Sequence, residues 1–366
     1  MTLVWYISGH GFGHASRDVE VLNILGRRRP DVRTVVRSAV NADLLRRTVT
    51  APIELRPGAC DTGIVQSTSV MHDDDATIDA AVRFYETFNE RVDAEVATLR
   101  SDDVHLIVGD IPPLAFEVAA RLGVPAIALA NFTWDWIYEG HPGFADRAPA
   151  VLDVIRQAYR RAVLGLRLPF AGGFETMADV RDVPLIARRP TRNRADTRAH
   201  FGIAADRPAA LLSFGGYGLP SLDFARLDCL DTWTIVTTDR LRNESSARPA
   251  SVVFVEESQF IDSGFRYEDL VGAVDVVMTK PGYGITAECI ATNSAMLYTS
   301  RGEFREYPIL VDGLRRFVRS RFIDQDRLFA GAWRESLEAL RLRPPAPERM
   351  DVNGADVVAA LIAQRL

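Results

Sequence analysis

Two successive parallel-sheet α/β domains facing a central cleft are the fold this sequence predicts. Three observations carry the expectation. The chain has 366 residues, too long for one ordinary hydrophobic core and well suited to two. Short apolar runs alternate with amphipathic stretches, the mark of right-handed βαβ units. The alternation breaks near the middle of the chain and then restarts.

In order, Leu3 to Ser8 reads as a strand, His14 to Gly26 as a helix and Arg33 to Ser38 as a strand. One long amphipathic helix is expected over Ala76 to Leu99, then the strand Val104 to Val108, the helix Leu114 to Leu122 and the strand Ala126 to Leu129. Between Leu164 and Arg198 the pattern gives way to Gly172-Gly173, Pro184, Pro190 and five arginines from Arg188 onward, which reads as an interdomain linker. Strands resume at Ala209 to Ser213, Trp233 to Thr237 and Val252 to Val255. The helix Tyr267 to Ala273 then leads to the strand Val274 to Met278, and an amphipathic helix covers Val357 to Leu366. The expected division is 1–170, 171–345 with the linker, and 346–366 as a C-terminal helix.

Composition narrows the class. A hydrophobic fraction of 47% and a charged fraction of 25% exclude a disordered chain. A net charge of -6 argues against nucleic acid as partner. Cys60, Cys229 and Cys289 are far apart, which fits buried thiols in a reduced, cytoplasmic setting and gives no zinc motif. No apolar run approaches the ~20 residues of a bilayer span, so no integral membrane association is expected. The oligomeric state is left open. His72-Asp73-Asp74-Asp75 has metal-binding residue types, but neighbours in an extended loop diverge, and the segment reads as a solvated acidic loop.

The strongest local signal is Lys280-Pro281-Gly282-Tyr283-Gly284-Ile285-Thr286-Ala287-Glu288, directly after a strand. Two glycines let the backbone approach a ligand, and a helix starting near Ile285 points free N–H groups and its positive end at the same space. That is an anion site suited to a diphosphate. Glu288, one turn into the helix, can accept hydrogen bonds from ribose hydroxyls. Lys280 is the only lysine among 43 basic residues, and a compact ammonium suits a phosphate at close quarters. Ser213-Phe214-Gly215-Gly216 closes the first strand of the same domain and would face the diphosphate from the other side. The arginines from Arg188 to Arg198 either bind phosphate or form a solvated face.

The first domain carries Ser8-Gly9-His10-Gly11-Phe12-Gly13-His14-Ala15-Ser16-Arg17. Its G-x-G-x-G spacing departs from the dinucleotide fingerprint, and strand two ends at Arg37-Ser38 without an acidic residue. NAD is therefore not expected, and only NADP with Arg37 near the 2′-phosphate stays in view. His14 at a helix N-terminus is kept neutral by the dipole and is a candidate general base, with His10 as competitor. Asp110, at the end of a strand, would orient a histidine or take the proton itself. Trp134 and Trp136, in Asn131 to Tyr138, suit stacking on a sugar face or simple core packing.

Taken together, Ser8 to Arg17, Asn131 to Tyr138, Asp182 to Leu185, Leu212 to Gly216 and Lys280 to Glu288 resemble the glycosyltransferase-like N-terminal region of plant L-arabinokinases. More distantly they resemble the bacterial lipid-linked N-acetylglucosaminyltransferases of peptidoglycan synthesis. The resemblance implies a GT-B fold: two Rossmann-like domains, the first for an acceptor and the second for a sugar nucleotide, with the helix of 346–366 crossing back to the first domain. It implies an inverting, metal-independent transfer from a nucleoside-diphosphate sugar, UDP-linked, to a hydroxyl acceptor, with no further cofactor. Donor contacts would come from Ser213, Gly215, Gly216, Lys280, Gly282, Tyr283, Gly284, Ile285, Thr286, Glu288, Glu303, Arg305 and Glu306. The acceptor side would comprise Gly11, Phe12, Gly13, Arg17, Asn131, Trp134 and Trp136. Kinase activity is not expected, because no Gly-rich kinase loop with its accompanying motifs is present. A nucleotide-sugar hydrolase or epimerase, or a non-catalytic sugar-nucleotide sensor, would use the same fold.

Overall fold

Val and Ile recur so densely in the apolar runs that both faces of each strand must be covered, and the result is two wholly parallel sheets. A computed structural model describes residues 1–10, 12–66, 72–215, 219, 222–238, 249–261, 263–302 and 304–366. Strands β1 (Thr2–Ile7), β2 (Arg33–Ser38), β3 (Glu54–Pro57), β4 (Val104–Asp110), β5 (Ala126–Phe132), β6 (Leu164–Gly172) and β7 (Val180–Asp182) form the first sheet. Its order is β3-β2-β1-β4-β5-β6-β7. Strands β8 (Ala209–Ser213), β9 (Thr234–Thr237), β10 (Val252–Phe254), β11 (Val276–Thr279), β12 (Ala295–Tyr298) and β13 (Ser320–Phe322) form the second, in the order β10-β9-β8-β11-β12-β13. In each sheet the order reverses beside the first strand, so the two carboxyl-end crevices lie at β1/β4 and β8/β11.

Two expectations need correction. The helix foreseen over Ala76 to Leu99 is two helices, Asp74–Glu86 and Phe88–Leu99, broken at Thr87, whose ψ of 20° leaves the helical region. The stretch from Leu164 is not yet linker. Leu164, Leu166 and Leu168 are buried at strand period, and β6 and β7 extend the first sheet to Asp182.

The chain passes between the domains twice, and the two passages are stapled side by side. Leu185 N–H donates to Asp351 O at 3.1 Å, and Gly354 N–H to Leu185 O at 3.0 Å. The helix Gly354–Ala363 then packs Val358, Ala359 and Ile362 into the core shared by β1, β2 and the helix Phe12–Arg28. Cys60, Cys229 and Cys289 are buried and free. Among the described residues no helix is long and apolar enough to cross a membrane.

Candidate active site

The two glycine turns meet across the cleft. The helix Tyr283–Thr292, starting two residues earlier than expected with Gly282 before it, faces the start of Phe12–Arg28. A Cβ built on Gly284 would sit 3.7 Å from Gly13 Cα. The crevice there, lined by Gly13, Arg17, Asn131, Tyr283, Gly284 and Glu288, holds about 20 Å³, space for about one water. By contrast, a side chain on Gly282 or on Gly215 would meet nothing within 4 Å among the described residues. Gly215 has a φ of +75°, a conformation that glycine adopts without strain.

In the first domain, Asp110 is the centre. It is fully buried at the end of β4. Its Oδ1 lies 2.9 Å from His14 Nδ1, and Arg17 Nε donates to its Oδ2 at 2.6 Å. Arg17 also bonds Asp110 Oδ1 and Asn131 Oδ1. Burial works against the ionised carboxyl, but Arg17 and then His14 hold its pKa well below the ordinary range. Arg17 NH2 is 2.9 Å from the same His14 Nδ1. That nitrogen cannot accept from Arg17 while donating to Asp110, so the Asp110 bond selects the tautomer with its proton on Nδ1. Asp18 lies behind this group with both oxygens buried, beside Asp110 and Trp5. Burial, then the Asp110 charge, raises its pKa well above the carboxylate range.

His10 has a carboxylate of its own, which sequence reasoning missed. Its Nε2 lies 3.4 Å from Asp61 Oδ1, and its side chain is 34% exposed against 8% for His14. Burial lowers the His10 pKa, but Asp61 more than offsets this, and the net shift is upward. Asp61 has no local motif to mark it, since it comes from the loop after β3.

The acceptor-side expectations divide. Arg17 and Asn131 are buried supports of Asp110, with Asn131 donating to Pro169 O at 2.7 Å. Trp134 is core: it is 3% exposed, its Nε1 donates to Asp61 at 2.8 Å, and it stacks on Tyr138. Half-buried Trp136 has the Arg305 guanidinium 4.7 Å over its ring. Gly11 lies outside the described residues, as does the side chain of Phe12.

The donor-side residues divide as well. Ser213 Oγ accepts from Tyr267 OH at 2.6 Å, and Lys280 follows β11 beside it. Burial, then the neighbouring Arg301, pushes the Lys280 pKa down to about 8. Arg301 is a second cation of this site that sequence reading passed over; its NH1 is 3.0 Å from buried Glu306. Arg301 Nε and Glu306 Oε2 are buried without hydrogen-bond partners among the described residues. Ile285 packs into the second-domain core, and Thr286 is fully buried, its N–H donating to Gly282 O at 3.0 Å. Tyr283 reaches across to the first domain, its ring 5.8 Å from Phe132 and its hydroxyl 3.2 Å from Phe170 O. Gly216 and Glu303 lie outside the described residues.

Glu288 is neither a surface residue nor a carboxylate without partners. It is 3% exposed, and Arg188 Nε donates to its Oε1 at 2.7 Å. Arg188 is also 3.3 Å from Glu268, and the two carboxylates outweigh burial in keeping the guanidinium charged. Arg198 is likewise buried and pairs with Asp275 at 2.9 Å. These two arginines are internal supports, not a solvated face.

The acidic loop also differs from expectation. Asp73 caps the helix Asp74–Glu86, accepting from Ala76 N–H at 2.9 Å, while His72 and Asp74 turn toward His141.

No protein-family model matches the chain. Its sequence is 27% identical over 372 residues to an L-arabinokinase of Arabidopsis thaliana, covering 100% of this chain and 34% of that protein. The chain thus spans about a third of that relative. It is 26% identical over 225 residues to a UDP-N-acetylglucosamine–N-acetylmuramyl-(pentapeptide) pyrophosphoryl-undecaprenol N-acetylglucosamine transferase of Clavibacter sepedonicus, covering 60% of this chain and 57% of the other. Among solved structures, a glycosyltransferase of kitacinnamycin superposes with a TM-score of 0.67 at 17% identity, covering 100% of this chain and 99% of that one. A calicheamicin glycosyltransferase gives 0.65 at 17%, with 100% and 98% covered. MurG of Acinetobacter baumannii gives 0.57 at 15%, with 99% of each chain covered. The two parallel sheets, their facing crevices and these superpositions together identify the architecture as the GT-B fold of glycosyltransferases.

Proposed function

We propose that the chain transfers a sugar from a nucleoside-diphosphate sugar, UDP-linked, to a hydroxyl acceptor, with inversion and with no metal at the leaving diphosphate. The observation that carries this is the meeting of the two glycine turns. It sets a carboxylate-oriented histidine opposite a helix N-terminus flanked by Lys280 and Arg301. His14, its Nδ1 proton directed at Asp110, takes the acceptor proton on Nε2, and the oxygen attacks the anomeric carbon as the diphosphate leaves. Asp110, with its strongly lowered pKa, orients the ring and stays ionised. The helix N-terminus, Ser213, Lys280 and Arg301 stabilise the charge that grows on the leaving group. The nucleotide lies over Gly282 and Gly215, where a side chain would meet nothing within 4 Å among the described residues. The choice of UDP follows the donor named for the Clavibacter relative.

A calorimetric panel of UDP-, GDP- and dTDP-sugars tests the reading. Binding of none of them would overturn it. Rapid release of nucleoside diphosphate from donor alone, unaffected by any added hydroxyl compound, would replace transfer with hydrolysis. Glu288→Gln, which leaves Arg188 its Glu268 partner, is expected to weaken donor binding about tenfold by removing a charged acceptor for ribose hydroxyls. An unchanged Kd would remove Glu288 from the donor site.

Lys280 gives a pH signature. A diphosphate binds its protonated form, so affinity should be flat below the free pKa of about 8 and weaken by up to about tenfold per pH unit above it. Lys280→Ala should weaken binding and abolish that slope, measured by calorimetry on both sides of the transition. A slope that survives the substitution would assign it to another group.

A further inference from the structure

We propose that His72, Asp74 and His141 form a binding site for one divalent ion of the zinc class at the mouth of the cleft. The site is independent of the transfer reading. Three segments build it. His72 precedes the helix Asp74–Glu86, Asp74 opens that helix, and His141 follows the helix Trp134–Glu139. Phe304 of the second domain covers His72 edge-on, with ring centroids 4.9 Å apart.

The separations fit a shared cation, the three ligand atoms lying within 4.8 Å of one another. Asp74 Oδ1 is 3.1 Å from His72 Nε2 and 2.9 Å from His141 Nε2. Ligand atoms about 2.1 Å from one ion stand about 3.0–3.4 Å apart in octahedral or tetrahedral arrangement, so these separations need little adjustment. His141 is the second observation. Its side chain is 5% exposed, and its Nε2, like Asp74 Oδ1, is buried without a hydrogen-bond partner among the described residues. Two imidazoles and one carboxylate are donors that favour zinc and its first-row neighbours over magnesium or calcium. Three protein ligands leave a position for water or a substrate oxygen. An ion there would lock the acceptor-side wall beneath Phe304, on whose ring Arg301 stacks at 4.1 Å.

The test uses the full chain, stripped with chelator and titrated with Zn²⁺ by calorimetry and with Co²⁺ by visible absorption. One ion per chain and the d–d bands of nitrogen and oxygen ligation are expected, with a rise in Tm on Zn²⁺ addition. His72→Ala, Asp74→Asn and His141→Ala should each weaken binding by at least about tenfold, while His200→Ala, remote from the cluster, should bind as the parent does. Near-UV circular dichroism checks the fold of each variant. Should buried His141→Ala fail to fold, the more exposed Asp74→Asn and the parent Co²⁺ spectrum decide alone. Absence of Co²⁺ bands in the parent, or parental affinity in His72→Ala and Asp74→Asn, would overturn the site. So would loss of binding in His10→Ala in place of these variants.

Discussion

Replacing His14 by alanine is expected to lower kcat by about 10²–10⁴-fold while leaving donor Kd within a few-fold. Its hydrogen bonds and ring contacts are with Asp110, Arg17, Phe132 and Trp134 and not with the Lys280 to Glu288 turn among the described residues, so donor affinity should survive its loss. On the proposed reading, what disappears is the Nε2 lone pair that takes the acceptor proton, on a ring whose Nδ1 proton points at Asp110 Oδ1 at 2.9 Å. Asp110→Asn should also reduce turnover, because an amide can present its N–H to Nδ1 and reverse the tautomer. His10→Ala is the decisive companion. His10 is more exposed and pairs with Asp61, the one observation that favours it as base. The measurement is release of nucleoside diphosphate from the sugar nucleotide selected in the binding panel, with added polyol as acceptor. If His10→Ala abolishes turnover and His14→Ala does not, the base is His10 and Asp61 its orienting partner.

Arg17→Ala is expected to cost about 3–5 kcal/mol of stability, the usual result of stripping a buried carboxylate of its cation. Asp110 is fully buried, and Arg17 is the largest influence opposing its desolvation. The pH dependence follows by sign. Because Asp110 has a folded pKa below its unfolded value, its contribution is present above the unfolded value. It is lost as pH falls through that value toward the lowered one. Asp18, raised in the folded state, has the opposite slope and costs more stability as pH rises above the unfolded carboxylate range. In Arg17→Ala the first contribution vanishes, so the deficit against the parent should be largest near neutrality and shrink on acidification. Denaturant titrations at neutral and mildly acidic pH read this directly. A deficit independent of pH would mean that lost packing, not the unpaired charge, dominates.

The sequence carries the fold well where a signal is local. Period-two burial, strand-to-helix glycine turns and the restart after the break all translate into the two sheets. β6 and β7 were obscured because Gly172-Gly173 and Pro184 punctuate the same stretch, although Leu164, Leu166 and Leu168 already alternate. Thr87 breaks a helix whose apolar periodicity runs on without interruption. For the candidate site, the glycine turns Gly13-His14 and Gly282 to Glu288 are contiguous in sequence, so their meeting across the cleft starts from motifs that sequence reading can single out. Asp61, Arg188, Arg301 and His141 were not, because each reaches its partner only through the tertiary fold and none belongs to a motif. Trp134 shows the converse: its place in a suggestive motif said nothing of the buried Asp61 that takes up its indole N–H.

The helix Gly354–Ala363 has a consequence for the order in which the protein is made. It covers a face built by β1, β2 and the helix Phe12–Arg28. During synthesis that face leaves the ribosome roughly 300 residues before its cover. At about 5–20 residues per second, the first sheet therefore waits tens of seconds with an apolar surface bare. The second domain, contiguous in the chain from β8 to β13, has no such delay. Nascent chains should thus expose a chaperone-binding face in the first domain throughout synthesis of the second, and close it only when the helix Gly354–Ala363 docks.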